Sequence, residues 1–246
     1  MTSLLGRVAE LVRYPVKSMA GVATESAFLG WHGLDGDRRF AFRRAGEKSG
    51  FPWLTASRLP DLLLYQPCGL EERVGEPLPT RVRTPAGAEL EIWSADLQRE
   101  IGARLGAEVE LMQLRHGVFD DASISLIDSA TIAEISRGAG VSVDRRRFRA
   151  NIVVECAERE PFLEDRWVGR TLFFGEKEPR PAVRATTRDE RCRVINLDPD
   201  TGESDARMLK TVVQLNQNNA GVYATVLRTG TIDVGMPVIL AVGDES

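Results

Sequence analysis

The sequence predicts a mainly β / α+β protein with a closed barrel at its centre. Three observations lead there: many short apolar or alternating runs of strand length, glycine turns between them, and only two or three stretches with helical spacing. The 246 residues fit one large domain or two small ones, with ample room for a core. A hydrophobic fraction of 43% is ordinary for a soluble protein, and no apolar run reaches membrane-spanning length. The start, MTSLLGRVAELVRYPVKS, lacks the basic-then-apolar order of a signal peptide. The expectation is a soluble, cytoplasmic chain with no membrane partner.

In chain order, Leu5 to Tyr14 has a strand pattern that stops at Pro15, and Lys17 and Ser18 follow in a turn before Gly21. A strand resumes at 24 to 29. The glycine-rich loop from Trp31 to Asp37 delivers Arg38 and Arg39 into RRFAFRR, where Phe40 and Phe42 share one strand face. Lys17, Ser18 and Arg38 thus lie at strand ends or loop edges, where a scaffold can aim them at a ligand. A polar loop anchored by Trp53 covers 45 to 60, and strand-like runs follow at 61 to 66, 81 to 84 and 89 to 93. Ser94 has the character of a helix N-cap, with Asp96 in the first turn and Leu97, Ile101 and Leu105 at fourfold spacing. A strand at 108 to 114 leads to His116–Asp121, the expected boundary between two parts, 1–117 and 118–243.

The second part opens with a strand at Ile124 to Ile127. Asp128-Ser129 then caps a helix that carries Ile132 and Ile135 and stops near Gly138. At that N-terminus Ser129 either meets a phosphate or merely caps. In RRRFRANIVVE, Phe148, Ile152 and Val154 suit a strand interior, and Arg149 and Asn151 precede it. Arginine offers a planar fork of donors for phosphate, and an asparagine amide can meet the edge of a heterocycle such as a pterin. Strands at 171 to 174 and 182 to 187 lead into TRDERCRVINLDPDTGE, Thr187 to Glu203. There Cys192 stands between Arg191 and Arg193, Val194, Ile195 and Leu197 alternate, and Asp198-Pro199-Asp200-Thr201-Gly202 stops the run, predicting a strand feeding a tight turn. Residues 205 to 216 predict a short helix and loop, and GVYATVLRTGTIDVGMPVIL two strands about a glycine-bounded connection.

Composition narrows the function. A net charge of −4 argues against nucleic acid as a partner. Arginine nevertheless greatly outnumbers lysine and clusters at Arg38-Arg39 and at Arg145-Arg146-Arg147 with Arg149; the plain reading of the triple arginine is a solvated face. Cys68, Cys156 and Cys192 are far apart, and the histidines are only His32 and His116. A disulfide framework, an iron–sulfur cluster and a closed zinc site are all poorly supplied. A single cysteine can still bind a metal that arrives inside an organic cofactor, because the cofactor brings most ligands. Guanidinium groups near Cys192 favour the thiolate, the form that attacks electrophiles and binds metals. The competing reading is a buried small hydrophobe, with the flanking arginines on the opposite strand face. The chain has no G-x-G-x-x-G, G-x-x-x-x-G-K, H-E-x-x-H or G-x-S-x-G.

Taken together, YPVKSMAGV, GDRRF, TASRLP, FRANIVVE, EDRW-G, RCRVINLDPDTGE, GVYA and GTIDVGMPV resemble the MOSC family, named for the C-terminal domain of molybdenum cofactor sulfurases. The matches keep their order over nearly the whole chain. They are most similar to the mitochondrial amidoxime-reducing component and its bacterial relatives. The resemblance implies an N-terminal MOSC β-barrel portion followed by the MOSC domain. It implies a molybdenum-pterin cofactor whose metal is bound by Cys192 and whose body and phosphate are cradled by Lys17, Ser18, Arg38, Arg149 and Asn151, with Ser129 and Arg191 added from the local readings above. The implied activity is reduction of N-hydroxylated small molecules such as amidoximes or hydroxylamines. The cysteines of a plant-type ferredoxin domain, present in some bacterial relatives, are not in the sequence, so electrons are expected from a separate electron-transfer protein or reductase. The alternative within the family is a sulfur carrier with a Cys192 persulfide serving metal-cofactor biosynthesis; a non-catalytic barrel for an anionic ligand is a third reading.

Overall fold

The computed structural model describes residues 2–70, 77–114 and 122–241. The boundary expected at 116 to 121 lies outside the described residues. The chain begins with a long strand, β1 (Thr2–Arg13), then β2 (Val22–Thr24), β3 (Ser26–Gly30), β4 (Gly33–Leu34) and β5 (Phe40–Arg44). The run at 61 to 66, expected as a strand, is instead a 3-10 helix over Pro60–Leu64 followed by β6 (Gln66–Cys68). Pro60 presets φ at the helix start, where its missing N–H costs nothing, and the turn points Leu62 and Leu63 inward. The meander β6, β7 (Arg81–Arg83) and β8 (Glu89–Glu91) leads to α1 (Ala95–Leu105). As the spacing predicts, Ser94 Oγ accepts from Leu97 N at 3.2 Å, and Leu97 and Ile101 are buried. Strand β9 (Val109–Gln113) then pairs with β5.

The second half starts with β10 (Ile124–Asp128) and α2 (Ser129–Ala139), capped by Asp128, whose carboxylate accepts from Ala130 N at 3.1 Å. Phe148 lies not in a strand but at the end of a 3-10 helix, Arg145–Phe148, ahead of β11 (Ile152–Cys156). Strand β12 (Thr171–Phe174) precedes β13 (Ala182–Glu190). Cys192 is therefore not on a strand: β13 ends two residues earlier, and Cys192 caps a 3-10 helix, Arg193–Asn196. After α3 (Arg207–Asn216), three strands rather than two close the described chain: β14 (Asn219–Arg228), β15 (Gly230–Asp233) and β16 (Pro237–Ala241). The ladder explains where β13 stops, since Glu190 faces Asn219, the first residue of β14, and beyond it a single backbone bond, Arg191 N to Asn218 O at 2.8 Å, meets left-handed residues that cannot extend a strand. Gly230, at φ +154°, sits where a Cβ would come within 2.8 Å of Pro181, and there the chain leaves the long hairpin to pair with β3.

Seven strands close into a barrel in the order β1, β11, β10, β14, β13, β12, β16 and back to β1. An odd ring cannot alternate direction throughout, and the parallel pair is β10–β11, joined by the crossover through α2 that a parallel connection requires. Alternate residues fill the interior: Val8, Leu126, Ile152, Val154, Leu172, Val183, Val222 and Leu240 are all buried in one core. Strand β1 reaches this closure only because Gly6 has no side chain, for a Cβ there would stand 2.0 Å from the Glu155 carbonyl oxygen. The barrel thus takes one stave from the start of the chain and six from residues 124–241. A second core lies between β5, β9, the β6–β8 meander and α1, centred on Phe40, Phe42, Leu54 and Tyr65. A third lies under α2 and α3 on the barrel's outer face. No helix among the described residues is long and apolar enough to cross a membrane.

Candidate functional site

Lys17, Ser18, Arg38, Arg149, Arg191 and Cys192, drawn from four separate stretches, line one cleft of about 330 Å³. Its size falls within the range of about 300–1,000 Å³ typical of small-molecule sites. The turn after β1 is tied to β5 by bonds from Lys17 N to Phe40 O at 2.8 Å and from Arg38 N to Tyr14 O at 2.8 Å. Ser18, Arg38 and Arg149 all hold left-handed backbone, at φ +67°, +45° and +53°. Among the described residues only three other non-glycine positions do so, so half of this strain, about 1–3 kcal/mol each, is gathered in one cleft. Such strain persists where surrounding bonds enforce it, and it orients these side chains together.

Those bonds are specific. Tyr14 is a buried shelf: Arg149 lies over its ring at 4.3 Å and Arg38 at 5.1 Å. Burial pushes the Tyr14 phenol up to about 12, with the two guanidinium groups opposing the rise. Tyr14 N donates to Asp37 Oδ1 at 2.6 Å, and the same carboxylate pairs with Arg38. Arg38 also donates to the Arg149 carbonyl at 3.3 Å, and Arg149 to the Met19 carbonyl at 2.8 Å. Lys17 sits 5.7 Å above the ring of Phe51.

Three sequence expectations change. Asn151 does not line the cleft: it is 1% exposed, accepts from Arg38 Nη1 and Ser125 N at 3.1 Å each, and donates to Val12 O at 3.1 Å. It brackets β1, β10 and Arg38 together and reaches a ligand only through Arg38. Ser129 is at neither the cleft nor the cap. It opens α2 on the outer face of the barrel beside Ile132 and Ser136, where the Asp128 carboxylate occupies the helix N-terminus and repels an anion. Arg191 turns back from Cys192, donating to Ala220 O at 2.8 Å and Phe148 O at 2.9 Å and pairing with Asp189 at 3.0 Å. It braces the thiol-bearing segment. The triple arginine is solvated only in part: Arg145 and Arg146 pair with Glu10 and Asp200, but Arg147 reaches the cleft wall, bonded to Asp198 at 2.7 Å.

Cys192 itself is exposed, so the reading of a buried hydrophobe does not hold. Its carbonyl accepts from Ile195 N at 3.2 Å, and Ile195 is buried, which fixes the segment. Residues not singled out in the sequence also line the cleft: Phe51, Thr55, Ser57, Asp189 and Tyr223. The polar loop containing TASRLP carries Phe51, Thr55 and Ser57, while Asp189 and Tyr223 lie in the TRDERC and GVYA stretches. Among the described residues no group of three or more His, Cys, Asp or Glu could hold a metal ion. A metal here would need ligands supplied by an organic group, and one accessible thiol, a soft donor, beside several cations suits a metal carried on a phosphate-bearing heterocycle. Away from the cleft, Glu164, Asp128 and Cys156 are buried together. Burial raises the Asp128 carboxyl, pushes Glu164 up to about 7, and, with the Asp128 charge, raises the Cys156 thiol.

Comparison with known proteins agrees with this architecture. Residues 5–102 match the model of the MOSC N-terminal beta barrel domain, and residues 113–239 that of the MOSC domain. No curated protein matches the chain significantly. Among solved structures, the YuaD protein of Bacillus subtilis is similar in fold, with a TM-score of 0.53 and 15% identity over 99% of this chain and 98% of that one. YiiM from Geobacillus stearothermophilus aligns over 49% of this chain and 55% of its own at a TM-score of 0.36 and 19% identity. With both halves matched in order and the MOSC model alone spanning more than half of the 246 residues, the chain belongs to the MOSC domain family, related to molybdenum cofactor sulfurase.

Proposed function

We propose that the protein is a molybdenum-cofactor-dependent reductase of N-hydroxylated compounds. The observation that carries this reading is an exposed thiol at a cleft that gathers Lys17, Ser18, Arg38 and Arg149 in a chain of net charge −4. When bound, a molybdenum-pterin group supplies two-electron chemistry able to cleave an N–O bond, so that an N-hydroxyl compound, two electrons and two protons give the parent amine or amidine and water. Cys192 would hold the metal through its thiolate. Lys17 and Arg149 would neutralise the phosphate, Ser18 would donate a hydrogen bond, and Arg38, fixed by Asp37 and Asn151, would orient the group. The Tyr14 shelf keeps Arg38 and Arg149 from swinging out when the cleft is empty of anion. Electrons would come from a separate electron-transfer protein or reductase.

The test is ligand deletion in protein made in a host that produces the cofactor. Cys192→Ala should lose molybdenum and amidoxime reduction together while keeping its melting temperature, because the residue is exposed. Equal molybdenum in both proteins would refute the assignment. The exposure of Cys192 also favours a second reading, a persulfide carrier, since a carrier sulfur must be reachable. That reading expects a purified protein heavier by one sulfur atom on Cys192 and free of molybdenum.

A further inference from the structure

Most arginines of this chain are neutralised in place. Around the cleft Arg44 pairs with Glu47, Arg104 with Asp61, Arg146 with Asp200 and Arg147 with Asp198. Three cations of the same neighbourhood are exposed and, among the described residues, take part in no ion pair or side-chain hydrogen bond: Lys48, Arg58 and Arg193. Their positions are tied together. Arg58 follows Ser57 and Arg193 follows Cys192, both in the cleft wall, and the segments carrying them pack through Ala56, Leu63, Val194 and Leu197. Lys48 lies in the loop that ends at Phe51, a cleft residue 54% exposed. The carboxylates on these segments are mostly spent on the pairs just named, which leaves three cations on the segments that supply the cleft residues Phe51, Ser57 and Cys192.

Resting on the reductase reading, we propose that Lys48, Arg58 and Arg193 around Phe51 form the docking surface for a small acidic electron-transfer protein carrying a one-electron iron–sulfur or flavin centre. The partner passes its electrons at the cleft mouth, one at a time, and each N-hydroxyl reduced consumes two of its reduced copies and two protons. Uncompensated charge at a rim steers an oppositely charged protein, and an exposed ring supplies the apolar contact at the centre of the interface. Three cations on a chain of net charge −4 are too few for the many phosphate contacts on which nucleic-acid binding depends.

The experiment titrates the protein with a plant-type ferredoxin and with a flavodoxin, by calorimetry, at low and at about 0.3 M salt. At least one of them should bind, and about tenfold more weakly at the higher salt. The double variant Arg58→Glu, Arg193→Glu should weaken that binding by about tenfold or more, and Lys48→Glu by less, with melting temperatures unchanged. Binding of neither protein, or binding that survives the double reversal, overturns the proposal. Dithionite-driven amidoxime reduction by the same variants separates the two readings. Ferredoxin binding without any reduction sinks the reductase reading and leaves the surface standing, whereas dithionite activity that persists as ferredoxin-driven turnover falls supports both.

Discussion

Asn151→Ala distinguishes a bracket from a ligand contact. The side chain is 1% exposed and makes three hydrogen bonds of 3.1 Å, to Arg38, Ser125 N and Val12 O. Alanine removes all three and leaves buried donors without their acceptor, at a cost of about 3 kcal/mol. For a chain of this size that lowers the melting temperature by about 6–12 °C. The assay is a thermal melt followed by circular dichroism on cofactor-free protein, so that ligand binding adds nothing to the stability. Asn151→Asp should fall between wild type and alanine, since it keeps the acceptor for Arg38 and Ser125 N and loses only the donor to Val12 O. A melting temperature within about 2 °C of wild type for Asn151→Ala would refute the bracket, because side-chain bonds this buried cannot be lost silently.

Two further outcomes follow from exposure and from titration. In the native protein a disulfide reagent should react first with Cys192, which is exposed, and should reach Cys156 only on unfolding, since burial and the Asp128 carboxylate hold that thiol in its unreactive form. In a Cys68→Ser background, which removes the half-buried third thiol, Cys192→Ser should abolish the fast phase; a fast phase that persists there would contradict the exposed placement. Burial lifts Glu164 from 4.5 to about 7, so the folded state favours the protonated acid. Its contribution to stability is fully present below about pH 4.5 and is lost as pH rises through about 7. Glu164→Gln, neutral at every pH, should lack that decline in urea melts between pH 4.5 and 8, and an identical pH slope in both proteins would count against it.

How much of this was legible depended on whether the signal was local. Helix α1 was readable from Ser94 and the spacing of Leu97, Ile101 and Leu105, because capping and periodicity act within one turn. Cys192 was placed on a strand because Val194, Ile195 and Leu197 alternate, yet pairing partners, not alternation, decide where β13 stops, and β14 begins opposite Glu190. The run at 61 to 66 failed differently: three consecutive leucines carry no period, and Pro60 was the better guide. The cleft cations Lys17, Arg38 and Arg149 were found through motif resemblance, since no rule of spacing links residues so far apart in sequence. Ser129 and Asn151 lie outside the cleft, and Arg191 lines it with its guanidinium bonded to backbone carbonyls, for one reason. The chemistry of a side chain can be read from its type, but the direction it points is set by distant carbonyls and carboxylates such as Ala220 O, Val12 O and Asp128.

The shared stave has a consequence for how the molecule is made. Thr2 faces Ala241, and β1 also pairs with β11, so the ring cannot shut until β16 has left the ribosome. Until then β1 and its intended neighbours present open edges, the state in which strands find wrong partners. Folding should accordingly be slow, governed by a loop closure that joins Thr2 to Ala241.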